Sequence, residues 1–249
     1  MTRIMLTVAY DGTNYHGWQV QPNKATIEGE LNQYLSALLE EEIRVIGASR
    51  TDAGVHALGN IAVFDTNTKI PAEKISLATN QKLPPDIKIH KSEIVPLDFH
   101  PRHVESRKTY EYKIWNDKFP MPTERYYSYF VYNSLNLEQM QKAAEYFIGE
   151  HDFTSFCSIN TEVESKVRTI YDLKVNKQDK LLTVRVTGNG FLYNMVRIIV
   201  GTILDVGKEK YLPDQIETIL AGKNRELAGA TVPAHGLTLI KYDFLHFSY

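Results

Sequence analysis

The chain opens on the apolar run Ile4-Met5-Leu6-Thr7-Val8-Ala9-Tyr10, which is rich in strand formers and stops at the turn pair Asp11-Gly12. The period then changes. Behind Thr26, a good N-cap, the side chains Ile27, Leu31, Tyr34, Leu35, Leu38 and Leu39 recur at helical spacing and predict a helix to Glu41. Residues 43–48 and 60–65 read as strands. Pro71 opens a short helix to Lys82, Pro84-Pro85 ends it, and residues 87–95 read as a fourth strand. The order β-α-β-β-α-β is that of a ferredoxin-like unit.

The second half repeats the theme with decoration. Residues 108–115 alternate, with Tyr110, Tyr112 and Ile114 on one face and Thr109, Glu111 and Lys113 on the other. Residues 126–131 predict a strand, and 136–148 a helix with Leu137, Met140, Ala144 and Phe147 on one side. Strands over 167–175 and 181–187 follow, joined by the polar turn 176–180. Helices over 190–206 and 213–220 and a closing strand over 237–244 complete the pattern. The expected class is α+β: two ferredoxin-like (RRM-like) halves, residues 1–105 and 106–249, with antiparallel sheets side by side and a central catalytic cleft. A cleft between two such halves is the default place for a ligand.

Composition narrows the classes. With 28 Lys+Arg against 30 Asp+Glu, bulk charge gives no nucleic-acid signal, so any RNA site must be a local basic patch. Cys157 is the sole cysteine, which excludes an intrachain disulfide and a Cys-based zinc site and suits a reducing cytoplasm. No apolar run is long enough to span a bilayer, and the first ten residues read as a strand rather than a signal peptide. A soluble, cytoplasmic chain is expected. His16, His56, His100 and His103 lack metal-ligand spacing, so no metal is expected.

The densest chemistry lies in Ser49-Arg50-Thr51-Asp52-Ala53-Gly54-Val55-His56-Ala57, between the second and third predicted strands. A carboxylate on a tight loop between rigid strands is well held, and Arg50 stands two residues away. Taken alone, Asp-Ala-Gly is equally ordinary turn chemistry with a solvated Asp.

The segment resembles the signature Gly-Arg-Thr-Asp-Ala-Gly-Val-His of the TruA family of tRNA pseudouridine synthases, with Ser49 at a position usually Gly. Four further blocks are similar to that family, in its order: residues 9–19, the tyrosine strand 106–116, residues 149–156, and Gly190-Phe191-Leu192-Tyr193-Asn194-Met195-Val196-Arg197. Pro233-Ala234-His235-Gly236-Leu237 resembles its closing block. The resemblance implies an isomerase that acts without a cofactor on uridines 38, 39 and 40 of the tRNA anticodon stem-loop, as a homodimer.

By the same resemblance Asp52 is the catalytic carboxylate, attacking C1′ of the flipped nucleotide or removing a C2′ proton to give a glycal. Arg197 supplies its counter-charge, and Tyr110 the platform on which the detached uracil turns. Arg50 and His56 bind substrate. The reaction needs no redox step and no energy source, which fits a chain without a phosphate-cradling loop or dinucleotide fingerprint. It does need the base out of its stack. The cluster His100, Arg102, His103, Arg107 and Lys108, with Lys166, Arg168, Lys208 and Lys210, could follow an RNA backbone.

Two other readings compete. A non-catalytic RNA-binding module has no use for Asp52, Tyr110 and Arg197 together. A nucleoside or glycoside hydrolase needs a second placed carboxylate. Asp11 could be read as pairing with Asp52, but nothing in the sequence fixes their separation, and the Asp11-Gly12 turn explains Asp11 without chemistry. The aromatics Phe244, Phe247 and Tyr249 near the C-terminus serve either core or interface.

Overall fold

The computed structural model describes residues 1–158 and 163–245. The chain folds as two compact units. One holds residues 1–106 and, of the described C-terminal residues, 239–245, and the other holds the described residues of 107–238. The last strand therefore groups with the first unit, where the sequence pattern assigns it to the second half.

The first unit contains β1 (Thr2–Tyr10), α1 (Ile27–Leu39), β2 (Ile46–Gly47), β3 (His56–Thr66), α2 (Ala72–Asn80) and β4 (Ile87–Val95). Strand β1 runs antiparallel between β3 and β4, with Leu6 opposite Ala62 on one side and Ser92 on the other. Strand β2 pairs with β3 through Ile46 and Gly47. Helix α1 begins where the sequence puts it: the Thr26 hydroxyl accepts from Gly29 N–H, and Ile27, Leu31 and Leu35 are buried. A second cluster, Met5, Ala48, Ile61, Val63, Val95 and Phe99, packs with Tyr242 and Phe244. Arg3 closes this unit's edge with a two-pronged pair to Asp65, whose carboxyl it holds below the usual range.

The strand expected over 43–48 is only two residues long. Its apolar residues are buried, but α1 takes its backbone groups: Ser36 Oγ accepts from Ile43 N–H and Asn32 Oδ1 from Val45 N–H. Side-chain acceptors thus replace a sheet partner.

The second unit contains β5 (Ser106–Asn116), β6 (Tyr129–Val131), α3 (Leu137–Glu145), β7 (Gly149–Asp152), β8 (Val167–Gln178), β9 (Leu181–Gly188), α4 (Met195–Gly207) and α5 (Gln215–Gly222). The closing strand is β10 (Leu237–Phe244). Strands β5, β9, β8 and β7 neighbour one another in that order, all antiparallel, while β6 runs parallel to β5. Ile198, Ile199, Val200 and Ile203 of α4 are buried with Phe147, Phe153 and Phe156 in this unit's core. Helix α4 starts five residues later than its apolar pattern predicts, because Asn194 sits in the left-handed region at φ 62° and breaks the helical path. The architecture is mixed α+β. Among the described residues no helix is long and apolar enough to cross a membrane. Phe247 and Tyr249 lie outside the described residues, whereas Phe244 packs edge-on against Phe99 at 5.3 Å.

Candidate active site

Asp52 stands on the loop between β2 and β3, half-buried, between the buried Thr51 and the exposed Ala53. Its own carbonyl accepts from Val55 N–H at 3.1 Å, closing a four-residue turn. Gly54, at φ 77°, fills the third position, where such a turn needs a positive φ. The turn chemistry visible in Asp-Ala-Gly is thus present, and it serves to present the carboxylate.

The rest of the loop is held by the block 10–18, which the sequence shows only as a separate motif. Trp18 N–H donates to Thr51 O at 3.0 Å, and Gly54 N–H to Tyr15 O at 3.3 Å. Tyr10 OH and Thr51 Oγ1 share a buried hydrogen bond of 2.7 Å. Gly12 N–H donates to His56 Nδ1 at 3.0 Å. Asp11 Oδ1 lies 3.1 Å from the same nitrogen, which cannot both accept from Gly12 and donate to Asp11. Asp11 Oδ1 already accepts from Thr13 N–H and Thr13 Oγ, capping a short 3-10 turn. The hydrogen-bond pattern therefore assigns Nδ1 as acceptor and places the ring proton on Nε2. Asp11 is a turn-capping residue in this geometry.

Beneath the loop Asn60 carries the load. Its Nδ2 donates to Ser49 O at 2.9 Å and to Tyr10 OH at 3.2 Å, and its Oδ1 accepts from Ser49 N–H and Ile61 N–H. The fully buried amide thus ties Ser49 to β3 at Ile61 and to Tyr10, which in turn holds Thr51. Ser49 is not among the residues with positive φ, so this position imposes no glycine requirement. Its buried Oγ has no hydrogen-bond partner among the described residues. Ser49→Ala is accordingly expected to leave activity intact and to raise the unfolding free energy by about 1 kcal/mol, because it removes an unmet buried hydroxyl. Urea unfolding would check this, and a loss of stability would mean that the hydroxyl is bonded.

In the second unit Tyr110 and Tyr112 share the inner face of β5, opposite Val186 and Val184 of β9. Tyr110 is buried, and its ring stands edge-on to Phe191 at 5.3 Å. Tyr112 is fully buried and donates to Pro233 O at 2.7 Å. Burial drives its phenol well above the ordinary range, against a smaller downward pull from Arg197. Tyr112 is a core residue with a satisfied hydroxyl, and period alone could not separate it from Tyr110.

Arg197 lies in the first turn of α4, half-buried. Its Nε donates to Val232 O at 2.8 Å and its Nη1 to Asn194 Oδ1 at 2.7 Å. The segment carrying Val232 runs along α4, with Gly229 N–H on Thr202 Oγ1 and Val232 N–H on Arg197 O.

Of the candidates, Arg50 and Asp52 lie on one loop of the first unit and His56 opens β3 directly after it, and Tyr110 and Arg197 lie in the second, on β5 and α4. Arg50 is exposed. In the basic cluster, His100 and His103 stack at 3.9 Å, Arg107 lies over the Tyr171 ring at 4.5 Å, and Lys210 is paired with Asp205. Among the described residues no three His, Cys, Asp or Glu gather as a metal site. Sequence reasoning missed Tyr10, Asn60 and Asn194. The one available signal was an amide within an otherwise apolar strand at position 60.

Comparison with known proteins follows the same residues. A family model described as tRNA pseudouridine synthase matches residues 6–103 and 143–244. A protein named tRNA pseudouridine synthase A from Thermoanaerobacter sp. (strain X514) is 48% identical over 241 residues, covering 97% of this chain and 99% of the relative. Its namesake from Bacillus subtilis (strain 168) is 46% identical over 245 residues, with the same coverage. Among solved structures, an H/ACA ribonucleoprotein bound to a substrate RNA containing 2′-deoxyuridine aligns with TM-score 0.35 and 12% identity, over 81% of this chain and 53% of that one. The family match takes in the Asp52 loop, the block that holds it and the helix that carries Arg197, and the full-length relatives extend it to nearly every residue: the chain belongs to the tRNA pseudouridine synthase family.

Proposed function

We propose that this enzyme acts on uridines 38, 39 and 40 of the tRNA anticodon stem-loop, with Asp52 as the group that engages the sugar. Family membership makes the chain an isomerase that converts uridine to pseudouridine in tRNA. The observation that carries the residue assignment is the pinning of Asp52: a half-buried carboxylate on a loop that two strands and the block 10–18 leave little freedom. A nucleophile or base must be held near its target in a productive geometry, and such a loop does that.

In the proposed cycle Arg50 helps to expel the target nucleotide from its stack. The planar guanidinium can stack in its place or bind a phosphate. Asp52 attacks C1′, or takes a proton from C2′, and the glycosidic bond to N1 breaks. The freed uracil turns against the Tyr110 ring, where stacking is worth about 1–3 kcal/mol. Its C5 then bonds to C1′ as the Asp52–C1′ bond breaks or, on the glycal route, as C2′ regains its proton; N1 takes up a proton from water and the C5 proton leaves to water. Arg197 keeps the Asp52 carboxylate ionised, and His56 completes the substrate-binding set.

The finer reading of the architecture is two ferredoxin-like halves. For the first unit it is supported by the strand order β4-β1-β3 with β2 on β3. A homodimer gripping one tRNA, in the cytoplasm, belongs to the same proposal.

The test uses tRNA transcripts tritiated at uracil C5, which lose tritium when C5 becomes the glycosidic carbon. A transcript with uridine at 38, 39 or 40 should release tritium, and one with cytidine at all three should release none. Release that persists from the triple-cytidine transcript would move the target elsewhere.

A further inference from the structure

Arg197 does not rest on α4 alone. Its guanidinium donates to Val232 O from Nε at 2.8 Å and to Asn194 Oδ1 from Nη1 at 2.7 Å. The second is unusual in what it costs. Asn194 adopts φ 62°, ψ 5° immediately before α4, a region that L residues other than Asn and Asp enter only at a penalty. It makes no side-chain cap to its own helix, which is the ordinary use of Asn in that place. Its amide faces elsewhere: Oδ1 toward Arg197, and Nδ2 onto Ser158 Oγ at 2.8 Å. The guanidinium can only donate, so it fixes which amide atom is oxygen and leaves Nδ2 to donate to Ser158 Oγ. Ser158 is itself tied to this turn, because its N–H donates to Tyr193 O at 3.2 Å. The chain Ser158–Asn194–Arg197–Val232 thus fixes an arginine fork in two directions.

We infer that Asn194 is a positioning residue for the isomerisation, setting the orientation of Arg197 rather than touching substrate. The inference rests on the proposed role of Arg197. It also explains why the chain breaks its apolar helical pattern at residue 194: the left-handed turn brings the amide beside the guanidinium three residues later.

The test is a double-variant cycle in single-turnover assays with C5-tritiated tRNA. Asn194→Gly keeps the left-handed backbone at no steric cost and removes only the amide. It should lower the single-turnover rate constant by about 10- to 100-fold, the scale expected of a displaced catalytic group, with tRNA affinity within about twofold. In an Arg197→Ala background it should cost nothing further, because the two act as one unit. Ser158→Ala, which removes the amide's anchor and leaves the helix alone, should produce a smaller loss that also vanishes in that background. It carries the test if Asn194→Gly does not fold.

Three outcomes overturn the inference while leaving the role of Arg197 standing. One is a wild-type rate in Asn194→Gly while Arg197→Ala is slow. Another is a loss that appears only in tRNA affinity. The third is a loss that adds in full to that of Arg197→Ala. A wild-type rate in Arg197→Ala would instead remove the role of Arg197, and the inference with it.

Discussion

Asp52→Asn is expected to abolish tritium release from C5-tritiated tRNA, with a fall in the single-turnover rate of about a thousandfold or more. The substitution is nearly isosteric. The bond from Val55 N–H goes to the Asp52 main-chain oxygen, and Trp18, Tyr10 and Gly54 hold the loop through Thr51 and through Gly54's own backbone. None of these needs the carboxylate. The variant should therefore keep the loop in place and bind tRNA, while lacking a group able either to attack C1′ or to take the C2′ proton. Both routes fail together, so the result tests the carboxylate and not the choice between them. Thermal unfolding of the variant within a few degrees of wild type would separate chemistry from fold. A rate within tenfold of wild type would remove Asp52 from the reaction.

What the sequence discloses of this loop and what it hides have a common physical reason. Asp52-Ala53-Gly54-Val55 is local chemistry: a turn with glycine where φ must be positive reads directly from four letters. Strand β4 and helix α1 are equally legible, because alternation, helical period and a Thr cap are short-range signals. The network under the loop is different. Tyr10, Ser49, Thr51 and Asn60 meet only after β1 and β3 pair, and no window of sequence contains that pairing. The same holds where the pattern misleads. Residues 43–48 have the composition of a strand, yet Ser36 and Asn32 claim their N–H groups from a helix several residues earlier. At 190–194 an apolar period continues across a left-handed residue that ends it. Strand β7, Gly149–Asp152, is polar and, among the described residues, pairs with β8 at the end of the sheet, so nothing in its side chains announces a strand.

Gly17→Ala is expected to damage stability and activity together, since it tests the pinning of the loop without touching a reacting group. Gly17 sits at φ 90°, where a Cβ is strained whatever its surroundings. The surroundings are also unfavourable. A Cβ there would lie 2.7 Å from Thr51 O, 3.1 Å from the Asp52 carbonyl carbon and 3.2 Å from Ala53 N, all of them backbone that cannot swing aside. The backbone strain costs about 1–3 kcal/mol and the overpacking a similar amount, so a loss of about 3 kcal/mol or more is expected in urea unfolding. Relief requires the loop to retreat from residues 17–18, stretching the Trp18 N–H to Thr51 O bond and carrying Asp52 with it. A displacement on the scale of 1 Å costs about a hundredfold in rate. The control is Gly190→Ala, where φ is not positive and the nearest atoms, on the Arg168 side chain, lie at ordinary contact distance. Its stability should stay within about 0.5 kcal/mol of wild type. If Gly17→Ala unfolds with wild type and releases tritium at the wild-type rate, the loop yields at little cost. The block 10–18 then does not hold Asp52 in place, and the carboxylate owes its position to some other part of the chain.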